Sequence, residues 1–140
     1  MTIAEIDMNN LEKAIKSFEN AIKAAEDTKD KEEEYIKDTI RAGVVQNFEF
    51  TYELSWKYIQ RYLELNNQTD VTIPKKQLFR EAFENGLLED PGSWFKYHEA
   101  RNKTSHMCSQ EASDLVYGLS NDFIKDVKKL LHNLVSTNEK

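Results

Sequence analysis

Apolar residues recur along most of this chain at intervals of three and four, the spacing that places side chains on one face of an α-helix. The first such stripe comprises Leu11, Ile15, Phe18 and Ile22. It predicts a helix that begins near Asp7 or Asn9, both good N-cap residues, and runs to about Asp27. A second, longer stripe predicts a helix of roughly 50 Å that ends near Asn66 and Asn67. Its apolar positions are Ile36, Ile40, Val44, Phe48, Tyr52, Trp56, Ile59 and Leu63.

Proline and glycine mark the boundaries of the remaining helices. Pro74 suits the first position of a short third helix behind a cap at Thr72 or Ile73, and Asn85 with Gly86 suits its end. Asp90 and Pro91 then form a second start signal, with aspartate as the cap and proline in the first turn. A last helix is predicted from about Ser109 to beyond Leu134.

These long amphipathic segments with short connections predict an all-α fold. We expect an antiparallel, up-and-down four-helix bundle with one extra short helix, formed by residues 1–140 as a single domain. The composition agrees, since the chain has 4 Gly, 2 Pro and 31% charged residues. The second helix carries more aromatic residues than one packing seam needs, so part of its surface should face another subunit or a partner protein. A homodimer is the simplest hypothesis.

Charge and cysteine content narrow the function classes. A formal net charge of −6 argues against broad electrostatic binding of nucleic acid, so any RNA contact should be local. The single cysteine, Cys108, cannot form an internal disulfide, and we find neither a signal peptide nor an apolar run long enough to cross a membrane. We therefore expect a cytoplasmic protein. No spacing typical of metal ligands occurs, so we expect no metal and no cofactor.

Candidate chemistry is concentrated in the segment from Arg101 to His106. Arginine can bind a phosphate through two N–H groups, and histidine can give or take a proton near neutral pH. On an ideal helix the two side chains would point about 140° apart, whereas Asn102 and His106 would share a face. For Arg101 and His106 to meet at one phosphate, the helix must end or loosen between them, or the two must converge across a dimer axis. The structural alternative is that Arg101 pairs with an acidic neighbour and His106 terminates a helix.

This segment, within residues 94–108, resembles the RNxxxH signature of the HEPN superfamily of small helical proteins. More closely, it is similar to the branch of nucleotidyltransferase substrate-binding, or HepT-like, proteins. A second block, residues 47–64, also resembles that branch, so the likeness spans most of the chain. The resemblance implies that His106 assists proton transfer at the ribose 2′-hydroxyl or the leaving oxygen, Arg101 stabilises the phosphorane-like transition state, and Asn102 holds the geometry.

Three functions follow as expectations. The first is a helical, substrate-binding partner subunit of a minimal nucleotidyltransferase encoded nearby, in a two-component toxin–antitoxin pair. The second is an active, metal-independent HEPN endoribonuclease toxin that this partner neutralises, and RNA or a nucleotide would then be its ligand. The third is a purely structural helical dimerisation module, which a buried His106 would favour.

Cys108 departs from the family pattern. HepT-like toxins commonly have a tyrosine two residues after the motif histidine, which the partner nucleotidyltransferase modifies with adenylate; here that regulatory position holds Cys108. A thiol offers no phenol for this reaction, so the substitution places such regulation in doubt. From its type, we expect Cys108 to be a small, buried or half-buried apolar residue. Both tryptophans, Trp56 and Trp94, lie among apolar helix positions, which favours core packing over base stacking.

Overall fold

A computed structural model describes residues 8–30, 33–67 and 73–138 of the chain. Throughout these residues the regular secondary structure is α-helical, so the all-α prediction is confirmed. No helix in the described part of the chain is long and apolar enough to cross a membrane. The helices are α1 (Asn9–Thr28), α2 (Glu34–Asn67), α3 (Lys75–Glu84), α4 (Pro91–Thr104) and α5 (Ser109–Asn138).

Four helices form the bundle, and the short α3 packs on its side. α1 contacts α2 and α5, while α4 also contacts α2 and α5, and α3 lies against α2 and α4. α1 and α2 are antiparallel: the Thr51 hydroxyl donates to the Ala14 carbonyl at 3.3 Å, and the Ser17 hydroxyl donates to Asn47 at 2.6 Å. The predicted four-helix bundle with an extra short helix is thus confirmed.

An aromatic cluster at the centre of the bundle ties its four helices together. Phe123 of α5 is fully buried, and its ring meets Phe18 of α1 at 5.8 Å and Phe48 of α2 at 4.9 Å between centroids. On its other side it meets Trp94 and Tyr97 of α4 at 6.1 and 5.0 Å. These are edge-to-face arrangements, the geometry that the charge distribution of aromatic rings favours. One side chain therefore packs against α1, α2 and α4 at once.

α3 ends as the sequence predicts. Gly86 has a φ of 80°, in the left-handed region that glycine adopts without strain. Its N–H donates to the Phe83 carbonyl at 3.0 Å, and the Leu87 N–H donates to the Ala82 carbonyl at 2.9 Å. This pair of bonds is the Schellman arrangement, which satisfies carbonyls that a helix end would leave unpaired. Leu87 is fully buried beneath it.

Replacing Gly86 by alanine should lower the free energy of unfolding by about 1 kcal/mol, since an L-residue is disfavoured at this φ. A Cβ would meet no atom within 4 Å, so the cost comes from the backbone alone. Gly118, inside α5, also has open space around it, and Gly118→Ala should raise stability by roughly 0.5–1 kcal/mol. Urea denaturation of both variants checks the prediction. Effects of the same sign at the two positions would contradict it.

The predicted helix starts agree at α1 and α4, although the cap residue of α1 differs, and α3 begins one residue later than predicted. Asp90 caps α4, accepting a bond from the Gly92 N–H at 2.9 Å, with proline next to it as expected. At α1 the cap is Met8, whose side chain makes no capping bond, so Asn9 as a cap is wrong and the alternative Asp7 lies outside the described residues. Pro74 is itself the cap of α3 rather than its first residue, because its ψ of 152° is extended. The proposed cap Thr72 also lies outside the described residues.

The aromatic residues of α2 divide between core and surface. Three of its seven aromatic residues are buried and therefore belong to the bundle's own core. Tyr35 is 72% exposed and Phe50 is 58% exposed, while Trp56 and Tyr58 are half-buried. The aromatic surface available to a partner is thus smaller than the sequence indicates. The buried three are Phe48, Tyr52 and Tyr62.

Candidate functional site

The segment from Arg101 to His106 lies at the end of α4, which finishes at Thr104. Two hydroxyls bond back to the carbonyls of this last turn: Thr104 donates to Arg101 and Ser105 donates to Asn102, both at 2.9 Å. Such local bonds compete with continuation of a helix. The His106 N–H donates to the Lys103 carbonyl at 3.0 Å, and its side chain is exposed. The helix therefore ends between Arg101 and His106, as their convergence would require.

Arg101 is held against α2 by two carboxylates. Its Nη1 lies 3.3 Å from Glu49 Oε2, and its Nε lies 3.4 Å from Glu53 Oε1. The Thr104 hydroxyl donates to the same Glu49 oxygen at 2.6 Å. The arginine side chain remains 30% exposed, and its Nη2 makes no hydrogen bond to any described residue. The acid pairing expected under the structural alternative is thus present, yet it leaves one edge of the guanidinium open to an anion.

Asn102 is linked to the core through His98. The Asn102 amide nitrogen lies 3.4 Å from His98 Nε2, and His98 Nδ1 lies 2.7 Å from the hydroxyl of buried Tyr52. Burial lowers the pKa of His98 below its ordinary value of 6.5, and the cations of Lys75 and Lys76 lower it further. With a neutral ring, the amide donates to Nε2 and Nδ1–H donates to the Tyr52 oxygen. His98 therefore links Asn102 to the core as a neutral ring near neutral pH.

The low pKa of His98 predicts that acid weakens the fold. Below pH 6.5 the unfolded chain binds a proton at this residue before the folded chain does, so the free energy of unfolding falls as pH falls. His98→Gln should reduce this loss between about pH 7.5 and about pH 5.5. His132→Gln, at an exposed position of α5, is the matched control for the loss of one histidine. Urea denaturation at several pH values checks this, and an unchanged slope in His98→Gln would contradict it.

The three motif side chains share one end of α4 without forming a bonded set. Among the described residues, no hydrogen bond joins the side chains of Arg101, Asn102 and His106. Cys108 is exposed, which corrects the expectation of a buried or half-buried residue. It lies just before α5, at the N-cap position, where its carbonyl accepts a hydrogen bond from the Ala112 N–H at 2.9 Å. This position is open to solvent. No described group of three or more His, Cys, Asp and Glu side chains could hold a metal ion.

Sequence reasoning missed the residues that support the motif. Glu49, Tyr52 and Glu53 lie three and four residues apart on α2, which is the spacing of one helix face. His98 lies four residues before Asn102, on the same face of α4. That spacing was a usable signal, because polar residues inside an otherwise apolar face of a bundle helix need partners.

Comparison with known proteins gives consistent results over nearly the whole chain. A family model described as nucleotidyltransferase substrate binding protein like matches residues 6–136. A protein from Haemophilus influenzae, named as a probable ribonuclease HepT, is 34% identical over 144 residues. The alignment covers 99% of this chain and 99% of that protein.

Solved structures agree with the fold. A Haemophilus influenzae structure described as the substrate binding domain of a nucleotidyltransferase superposes with a TM-score of 0.83 at 34% identity, over 91% of this chain and 98% of that one. A crystal structure from Thermus thermophilus, at 24% identity and a TM-score of 0.63, covers 84% of this chain and 98% of its own and shares the fold. The chain belongs to the family of nucleotidyltransferase substrate binding protein-like proteins.

Proposed function

We propose that this chain is the helical partner subunit of a minimal nucleotidyltransferase in a two-component toxin–antitoxin pair. The observation that carries the proposal is the family match over residues 6–136. A structural relative of matching length is described as a nucleotidyltransferase's substrate binding domain, which is the role we assign here. The protein would work in the cytoplasm as one domain and without a cofactor of its own.

Co-expression tests the partnership. The tagged chain would be produced together with the protein of an adjacent reading frame that carries a nucleotidyltransferase core, and the mixture separated by size-exclusion chromatography. We expect one peak that contains both proteins in a fixed ratio. Separate elution of two soluble proteins would contradict the proposal. An unrelated nucleotidyltransferase of similar size is the control for non-specific association.

The second candidate function is a metal-independent endoribonuclease, and the exposure of His106 favours it. His106 lies in the turn after α4, accessible to a substrate, while Arg101 presents an open guanidinium edge at the end of the same helix. His106 would transfer a proton at the ribose 2′-hydroxyl or the leaving oxygen, Arg101 would stabilise the charged phosphorane, and Asn102 would maintain the geometry. A sequence relative is named as a probable ribonuclease. A buried His106 would favour the purely structural module, whereas this histidine is exposed.

We further propose that the protein is a homodimer that contacts its second copy through α2. Phe50 is 58% exposed there, next to half-buried Leu54. Phe50→Glu should convert a dimer to a monomer in sedimentation velocity, because a buried unpaired carboxylate opposes association. Phe83→Glu, at a 48% exposed phenylalanine of α3, is the matched control and should remain dimeric. A wild-type monomer, or a dimer that survives Phe50→Glu, would contradict this interface.

Cys108 bears on control of such a pair. A thiol in place of the family's tyrosine provides no phenol for adenylylation, and this thiol is exposed to solvent. We propose that the nucleotidyltransferase restrains this protein by binding it rather than by modifying this position. Mass spectrometry of the co-expressed protein should then show no adenylate on Cys108.

A further inference from the structure

A group of cations and aromatic rings lies beside the motif, and we call it the α3 strip. Its cations are Lys75, Lys76 and Arg80 of α3, and its rings are Trp56 of α2 and Phe95 of α4. Lys75 Nζ is 3.7 Å from the centre of the Trp56 ring. Lys76 Nζ and the Arg80 guanidinium carbon lie 5.8 and 5.3 Å from the Phe95 ring. Both rings are half-buried, so each has an edge or face near solvent.

The cations of the α3 strip have no carboxylate partner among the described residues, in contrast to Lys128 and Lys129. Lys128 pairs with Glu19 and Lys129 pairs with Glu89, each at 2.8 Å. Within the described residues, none of the three strip cations forms an ion pair. Lys75 and Lys76 also occupy the first turn of α3, where the helix dipole adds positive potential.

The α3 strip is continuous with the motif. The charges of Lys75 and Lys76 act on His98, which contacts Asn102 one turn along α4. Trp56 is connected to the same network, because its indole N–H donates to Glu53 at 3.0 Å and Glu53 pairs with Arg101. The strip and the motif are therefore linked through His98 and Glu53.

We infer that the α3 strip binds single-stranded RNA next to the motif, with phosphates on Lys75, Lys76 and Arg80 and bases stacked on Trp56 and Phe95. This inference rests on the proposed ribonuclease function and names its substrate class. Cations that track a phosphate backbone, alternating with aromatic rings, are the features by which proteins hold single strands without reading sequence. A phosphate also binds lysine more strongly than an aromatic face does, so RNA would draw Lys75 away from Trp56 and free the ring for a base.

The test measures binding in a His106→Ala background, which prevents cleavage of the probe. The probe is a fluorescein-labelled single-stranded oligoadenylate RNA of roughly ten nucleotides. Lys75→Glu/Lys76→Glu should weaken binding at least about tenfold at about 0.1 M salt. The variant should also reduce the salt slope, which is the fall of log affinity with log salt concentration, by about 1.4, or about 0.7 for each phosphate contact. Acidic residues in a first helical turn favour the helix, so this variant should fold, as circular dichroism will verify.

A matched control separates local contact from net charge. Lys13→Glu/Lys16→Glu makes the same change of charge at exposed positions of α1, a helix that contacts neither α3 nor α4. It should retain most of the affinity and the wild-type salt slope. We expect bound RNA to quench the fluorescence of Trp56. Trp56→Phe should remove this quenching, because the other tryptophan, Trp94, is buried.

The outcomes distinguish this inference from the function on which it rests. Cleavage and binding by the wild-type site, with equal affinity in Lys75→Glu/Lys76→Glu, would overturn the α3 strip and leave the ribonuclease standing. Equal losses in both charge-reversal variants would also overturn it, since the effect would then be one of net charge. A wild type that neither cleaves nor binds RNA would contradict the proposed ribonuclease and the strip together.

Discussion

His106→Ala should abolish RNA cleavage and growth arrest while the protein keeps its fold. Removal of a general acid or base costs about 10²- to 10⁴-fold in rate, and an exposed side chain contributes little to stability. The measurement compares growth of cells that express the wild type or the variant, with cellular RNA examined for breakage in the same cultures. His132→Ala, at another exposed histidine, is the matched control and should behave as wild type.

Opposite results would have clear meanings. Equal RNA cleavage by soluble wild type and His106→Ala would remove His106 from the chemistry. Normal growth and intact RNA with the wild type itself, expressed and soluble, would contradict the ribonuclease and leave the partner-subunit role as the better account. The double variant Arg101→Ala/His106→Ala serves as the reference for complete loss.

Arg101 needs a different test, because its ion pairs with Glu49 and Glu53 also connect α4 to α2. Arg101→Ala would leave the Glu49 and Glu53 carboxylates facing each other at a half-buried site, at a cost of about 1–2 kcal/mol. Loss of activity in this variant must therefore be expressed per folded molecule. Arg101→Lys keeps the positive charge but not the two-pronged geometry, and should retain the fold while losing cleavage.

The local signals in the sequence were sufficient for most of the fold. Two helix boundaries are set by bonds within a few residues: the start of α4 at Asp90 and Pro91, and the end of α3 at Gly86. Such boundaries can be predicted without knowledge of the tertiary structure. The caps of α1 and α3 were misassigned because Met8 and Pro74 cap without side-chain bonds. Nothing in residue type marks such a position, since only the backbone participates.

The segment that carries the candidate residues could be identified from the sequence, but the tertiary contacts that hold this segment could not. The spacing from Arg101 to His106 identified the need for a helix end, and the helix ends at Thr104. Glu49 lies 52 residues before Arg101, and although its place on a face of α2 indicates that it needs a partner, no local pattern identifies that partner as Arg101. The packing of α4 on α2 makes that choice. Cys108 was misjudged for a related reason, as its exposure depends on how the connection to α5 leaves the bundle.

Phe123→Ala should be the most destabilising of these substitutions, because it leaves a cavity where rings from α1, α2 and α4 meet. Comparable buried phenylalanine truncations cost about 3–5 kcal/mol, a large part of the roughly 5–15 kcal/mol that stabilises a typical domain. Urea denaturation followed by the fluorescence of Trp94, which contacts Phe123, measures the loss directly. Phe83→Ala, at a 48% exposed ring of α3, is the matched control and should change stability by about 0.5 kcal/mol or less.

The same substitution tests whether the core holds the candidate site in place. Phe123 packs on Trp94 and Tyr97, which lie on α4 one to two turns before Arg101. Phe123→Leu fills most of the cavity and should cost about 1.5 kcal/mol or less. If α4 is positioned by this contact, RNA cleavage per folded molecule should fall in Phe123→Ala and recover in Phe123→Leu. Full activity in folded Phe123→Ala would show that the polar contacts of α4, such as the ion pairs of Arg101 with Glu49 and Glu53, hold its end without Phe123.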